Sequence, residues 1–175
     1  MTDAPARTVK QIAPHGGTLI NRLYTGAAAA PYLERAAAAP KLAIGDVALS
    51  DLTLIALGIA SPLTGFMDSK TYHSVVKTMH LPNGLPWSIP ITLPATSEQA
   101  AALTEGKDVA LTDAEGNIVG LLELSEKFGY DKQVEAQEVY RTTEEAHPGV
   151  ARVYAWGEVY LAGEVYMLTE PKADF

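Results

Sequence analysis

The sequence predicts an α+β domain: several short helices around a small, curved, mixed sheet of barrel-like size. Three observations predict it. Apolar residues at helical spacing, Tyr72, Val75, Val76 and Met79, fall in a first half that reads mostly as helix. Two apolar runs, 107–112 and 117–125, flank the turn Asp113-Ala114-Glu115-Gly116 as strands of a hairpin. The strands do not alternate with helices in the rhythm of a parallel nucleotide-binding sheet.

Each element follows from local chemistry. Alanines on either side of Pro31 favour a helix over 31–39, closed by Pro40. Residues 42–49 read as an extended segment broken at Gly45-Asp46, and Ser50 as the N-cap of a helix over 51–57 that stops at Gly58. Residues 61–67 read as a loop. Asp68 or Ser69 caps a helix running to Met79, and Asn83-Gly84 marks a turn. Residues 88–93 read as a short edge strand, because Pro90 and Pro94 cannot donate to a ladder. Thr96 or Ser97 caps a helix ending at Leu103. Residues 131–140 have helical periodicity, with Lys132 and Glu135 spaced for an i,i+3 pair. Thr142 with Glu145 suggests a capping box, and His147-Pro148-Gly149 reads as a break. Residues 158–168 are β-rich, with Gly163 a bulge or turn.

A chain of 175 residues suits one domain, here 1–175, with a core that buries about 70% of the unfolded surface. The absence of cysteine excludes disulfides, thiolate zinc sites and thiol catalysis. The first residues show no basic stretch followed by an apolar core, and no apolar run reaches the ~20 residues that span a bilayer. No membrane association is expected, and the cytoplasm is the expected compartment. With 13 basic against 21 acidic residues the net charge is −8, which disfavours a nucleic-acid partner.

Few catalytic motifs survive inspection. Gly106-Lys107 lacks the upstream glycine of a phosphate loop, and no Gly-x-Gly-x-x-Gly fingerprint occurs. The four histidines, His15, His73, His80 and His147, lack zinc-site spacing, so no metal is expected. The densest polar constellation is His15, Gly16, Gly17, Asn21 and Arg22. Two glycines free the backbone to turn or to approach a ligand, successive amides there can cradle an anion, and Arg22 offers a positive fork. The competing reading is a tight turn leading into the core. The apolar loop holding Leu63, Phe66 and Met67 reads as an anchor into the core or a neighbouring domain. His80 and Trp87 flank the Asn83-Gly84 turn, as walls of a pocket or as a packed loop.

Five segments carry a resemblance: PHGGTLINR at 14–22, SDLTLIALGIASPLTGFM at 50–67, LPNGLPWSIPITL at 81–93, DKQVEAQEVYRTTEEAHPGV at 131–150 and VYLAGEVYML at 159–168. In this order they resemble the amino-terminal domain of ATP sulfurylases (sulfate adenylyltransferases). The resemblance implies a PUA-like fold. It also implies a parent reaction in which sulfate attacks the α-phosphorus of Mg-ATP, giving adenosine 5′-phosphosulfate and pyrophosphate. The family's catalytic hallmarks, a Gln-x-Arg-Asn and a His-x-x-His segment, do not occur in these 175 residues. Joining two anions needs gathered positive charge, and enzymes lower barriers by about 8 kcal/mol or more. The chain alone is therefore expected to be inactive and to bind no cofactor itself. Its expected partner is a catalytic domain in cis or in trans, with self-association through the uncovered surface as a further possibility. The alternative is a stand-alone PUA-like module binding RNA or a small anion.

Overall fold

Helix α1 (Ala30–Ala38) begins where Pro31 occupies the first turn, after a single 3-10 turn at Gly26–Ala29. The computed structural model describes residues 12–171. Strand β1 (Lys41–Ala43) follows, and then α2 (Asp46–Ala56). Residues 42–49 therefore do not form one extended piece. Gly45 is the N-cap of α2, Asp46 sits in its first turn where a carboxylate complements the helix dipole, and Ser50 lies inside the helix. Ala48, Leu52 and Ile55, spaced by four and three, form its core stripe.

Strand β2 (Gly65–Phe66) interrupts the loop at 61–67. Helix α3 (Ser69–Thr78) is capped by Asp68, whose carboxylate accepts from the Thr71 amide at 2.8 Å. The helix ends at Met79 in the left-handed conformation. The expected strand at 88–93 is displaced: β3 is Leu93–Ala95, with Leu93 opposite Leu161. Residues 88–92 run irregularly, consistent with a proline that cannot donate. A capping box between Thr96 and Gln99 opens α4 (Ser97–Ala101).

Strands β4 (Lys107–Thr112) and β5 (Ile118–Gly129) form the expected hairpin. Next come α5 (Lys132–Glu135) and one π-helical turn, Ala136–Tyr140. Lys132 does not pair with Glu135; its ammonium donates to the carbonyls of Tyr154 and Trp156. Thr142 accepts from the Glu144 amide rather than making a capping box with Glu145. The break expected at 147–149 is instead a helix start. His147 Nδ1 accepts from the Gly149 amide at 3.1 Å, Pro148 takes the first position, and α6 (Pro148–Ala155) buries Val150 and Val153. Strand β6 (Val159–Met167) closes the domain.

The six strands form one mixed sheet in the order β1-β4-β5-β6-β2, with β3 also on β6. Among the named strands of the described residues only β1 and β4 run parallel, and Leu23 adds an isolated parallel bridge to Met167. The α+β class with a mixed sheet stands. The barrel detail does not: among the described residues the pairing path ends at β1 and β2 without joining them, so the sheet is open. Leu111, Leu122, Leu124, Leu161 and Val165 pack with α2 on one face, while Ala110, Leu121 and Tyr166 pack with Ala36 of α1 on the other. Both faces of the central strands are thus covered, which is why β5 opens on a nearly continuous apolar run.

Strand β6 carries β5, β2 and β3 at once, and it does so through two glycines. A Cβ at Gly65 would fall inside the carbonyl oxygen of Gly163, and a Cβ at Gly163 inside the carbonyl oxygen of Glu123. Both contacts are backbone, which cannot swing aside as a side chain can. Gly65→Ala is expected to destabilise the chain by about 2–3 kcal/mol. Urea unfolding checks this, and a loss under about 0.5 kcal/mol, the size of an ordinary surface substitution, would show that the strands part easily.

Candidate functional site

The segment after Ile12 makes a tight turn in which Gly16 and Gly17 have φ of 78° and 86° and the Gly17 amide donates to the Pro14 carbonyl at 2.8 Å. The His15 ring is exposed; its Nε2 lies 3.0 Å from the Pro86 carbonyl oxygen, and its centroid lies 6.0 Å from that of Trp87. Asn21 turns its side-chain oxygen onto the Leu23 amide at 2.9 Å, a local turn.

Arg22 is built into the sheet. Its amide donates to Ala56, its carbonyl accepts from Met167, and its guanidinium donates to Glu164 at 3.0 Å while lying 5.2 Å from the Tyr166 ring centroid. Its role there follows from register. Glu123 of β5 stands directly opposite Glu164 of β6, and like charges in that position repel. Arg22 neutralises Glu164. Arg35 of α1 neutralises Glu123 at 2.6 Å and also grips both carboxylate oxygens of Asp108, at 2.7 and 2.8 Å. Those carboxylates hold the Arg35 guanidinium above its ordinary range. The structure thus brings Gly16 and Gly17 beside His15, while the Arg22 guanidinium goes to the sheet.

Among the described residues three hollows stand out. The first, about 580 Å³, is walled by Leu63, Phe66 and Met67 on one side and by Arg35, Lys107, Asp108, Glu123 and Glu164 on the other. Phe66 and Met67 are buried in the core. Carboxylates outnumber cations here, and Arg35 is already engaged. The second is a groove of about 1030 Å³ between α2, the 79–91 segment and the α5–α6 region. His15, His80, Trp87, Tyr140, His147 and Arg152 line it, so the turn flanked by His80 and Trp87 does form a wall. The third, about 640 Å³, lies where Thr169, Glu170 and Pro171 meet the other side of α2.

Two acids of the groove, one buried and one half-buried, were not legible as site residues in the sequence. Glu135 is a buried carboxyl whose Oε2 accepts from the hydroxyls of Tyr72 at 2.8 Å and Tyr160 at 2.9 Å. Burial raises its pKa, and the two hydroxyl donors oppose that rise. Tyr160 in turn stacks on Tyr130 at 3.7 Å between centroids. This network ties α3, α5 and β6 together beneath the groove. Asp51 of α2 is pushed up to about 6 by burial, with Arg152 pulling the other way. The sequence places Asp51 on a helix, but its neighbour Arg152 lies in α6, whose first residues, Pro148 and Gly149, the sequence read as a break.

Comparison with known proteins gives a consistent picture. The family profile described as a PUA-like domain matches residues 12–170. The sulfate adenylyltransferase of a Synechococcus species is 55% identical over 157 residues, which cover 90% of this chain and 40% of that protein. A probable bifunctional SAT/APS kinase of Sorangium cellulosum is 49% identical over 91% of this chain and 28% of its own length. Among solved structures, a hexameric APS kinase from Thiobacillus denitrificans superposes with a TM-score of 0.70 at 28% identity, covering 94% of this chain and 28% of that one. The chain spans about 40% of the length of the Synechococcus relative that it matches. No helix among the described residues is long and apolar enough to cross a membrane.

The Asp51 carboxyl supplies a stability test with a definite sign. Its folded value, about 6, lies above the ordinary 3.8, so the folded chain holds this proton more tightly than the unfolded chain. Its contribution is most favourable below the unfolded value and is lost as pH rises through the folded one. Asp51→Asn is expected to raise stability at pH 7.5 by about 1–2 kcal/mol, allowing for partial solvation, and by little at pH 3.5. Urea titrations at the two pH values read it; destabilisation at the higher pH would mean that the ionised carboxylate is well paired.

Proposed function

We infer this chain's role from its family: the chain belongs to the PUA-like domain family. We propose that it is the amino-terminal scaffold domain of a sulfate adenylyltransferase, orienting a catalytic domain that joins ATP and sulfate into adenosine 5′-phosphosulfate and pyrophosphate. One observation carries the proposal. Identity of 55% runs over 90% of this chain, yet reaches only 40% of a sulfate adenylyltransferase.

Electrostatics supports the division of labour. The reaction brings sulfate against a triphosphate, so its site must concentrate cations and oriented donors. Here Arg22 and Arg35 answer the repulsion between glutamates on neighbouring strands. The first hollow sets Asp68, Asp108, Glu123 and Glu164 against Arg35 and Lys107, a balance that repels polyanions. On this reading the chemistry, with Mg-ATP as substrate, belongs to the part of the enzyme outside the matched region. The same surplus of acid disfavours RNA as a ligand.

A pyrophosphate-release assay with ATP, sulfate and magnesium tests the division. The purified chain is expected to show no turnover above background. Fused in place of the matched region of the Synechococcus enzyme, it is expected to support turnover within about tenfold of that enzyme, a loss of about 1.4 kcal/mol at most. Turnover by the chain alone would defeat the scaffold reading. In calorimetry, Arg22→Ala is expected to leave sulfate affinity unchanged, because its guanidinium serves Glu164; a clear loss of affinity would put Arg22 in an anion site.

A further inference from the structure

Helix α2 presents three stripes, each offset by one residue and hence by about 100°. Ala48, Leu52 and Ile55 enter the core. Val47, Asp51 and Leu54 line the groove. Asp46, Ser50 and Thr53 line the third hollow, against Thr169, Glu170 and Pro171. The end of the described chain and the groove thus lie on neighbouring sides of one helix, separated by about 10–12 Å, its diameter.

The rim of the groove is apolar and uncovered. Ile59 and Ile89, which line it, are 68% and 52% exposed. Leu57 and Leu19, 41% and 62% exposed, adjoin Gly58 next to Ile59, Leu57 in sequence and Leu19 by lying over that glycine. Large aliphatic side chains this exposed beside one groove mark a surface that something covers. The first hollow offers no such rim; its wall is charged and its apolar residues Phe66 and Met67 are buried.

We propose that the groove and its Leu19–Leu57–Ile59–Ile89 ridge are the face on which the rest of the longer enzyme docks. This rests on the scaffold reading above. The occupant follows from two observations. In the Synechococcus relative 60% of the protein lies outside the match, as the complement of the 40% matched. Pro171, the last described residue, lies one helix width from the groove, so a domain joined there would reach it without a long linker. Trp87 and Tyr140 supply aromatic walls of the kind that anchor such contacts.

Hydrogen exchange tests the location in the Synechococcus fusion, with the isolated chain as reference. Amides of residues 57–59, 87–89 and 91 are expected to exchange at least tenfold more slowly in the fusion, on the order of a well-covered interface. Ile59→Asp and Ile89→Asp are expected to abolish that protection, while Leu33→Asp, an exposed site on α1, leaves it unchanged. Should an aspartate variant fail to fold, Ile59→Ser carries the test. Equal exchange in fusion and chain, or protection confined to the first hollow, would overturn the location while an active fusion upholds the scaffold. A folded fusion with no turnover would instead sink the scaffold reading and this proposal with it. Sedimentation of the isolated chain gives the last arm: a dimer broken by Ile59→Asp would assign the ridge to a second copy and overturn the proposal.

Discussion

The domain depends on how closely three backbones meet at Gly163. Strand β6 is the only strand with three partners among the described residues, and at Gly163 it faces Leu124 of β5 on one side and Phe66 of β2 on the other. Backbone at that distance admits no Cβ on either Gly65 or Gly163. The ladder to β5 slips by one residue beside this point, between Leu124 and Glu126, which bends the sheet. The bend lets β3 join β6 beyond the slip, at Val159–Leu161, while β2 joins it at Gly163 and Glu164. One extended strand thereby organises both halves of the chain.

That same register creates an electrostatic problem and determines how it is answered. Aligning β5 with β6 sets Glu123 opposite Glu164, and the Tyr166 hydroxyl lies 3.3 and 3.4 Å from the two carboxylates. Arg22 reaches in from the amino-terminal segment and Arg35 from α1. Both segments are anchored to the sheet by this neutralisation as well as by packing. The consequence for function is that these two arginines are committed to holding the fold. That commitment is what the scaffold proposal builds on, since a guanidinium holding a glutamate is not free to hold phosphate or sulfate.

Much of the fold was legible in the sequence because its signals are local. Asp68 and Thr96 cap helices with partners three residues away, and the β4–β5 hairpin announces itself through its turn. The misread elements are those whose signals carry two meanings. Gly45-Asp46 breaks a strand and also starts a helix; Pro148 ends a helix and also opens one. The apolar periodicity of Ala48, Leu52 and Ile55 is what decides the first case in favour of a helix. The candidate site was less legible, since it rests on long-range pairs. Arg22 and Glu164 are 142 residues apart, and nothing near Arg22 reveals that its charge is taken. Likewise Glu135 finds Tyr72 63 residues away, so its burial reads from sequence as one more charge on a helix face.

Helix α2 shows how such distant constraints converge on one element. Eleven residues serve three surroundings at once: the sheet, the groove and the end of the described chain. The core stripe is apolar throughout, and its burial holds the helix against β6. The groove stripe mixes Val47 and Leu54 with Asp51, which stays costly to ionise because burial removes water and Arg152 compensates only in part. An acid kept in that position at a cost in stability is a feature that packing alone does not require, since an apolar residue there would continue the wall formed by Val47 and Leu54. The helix is thus not merely a cover for the sheet. It is the wall that the folded core, the groove and the last described residues share, each against a different stripe of the same eleven positions.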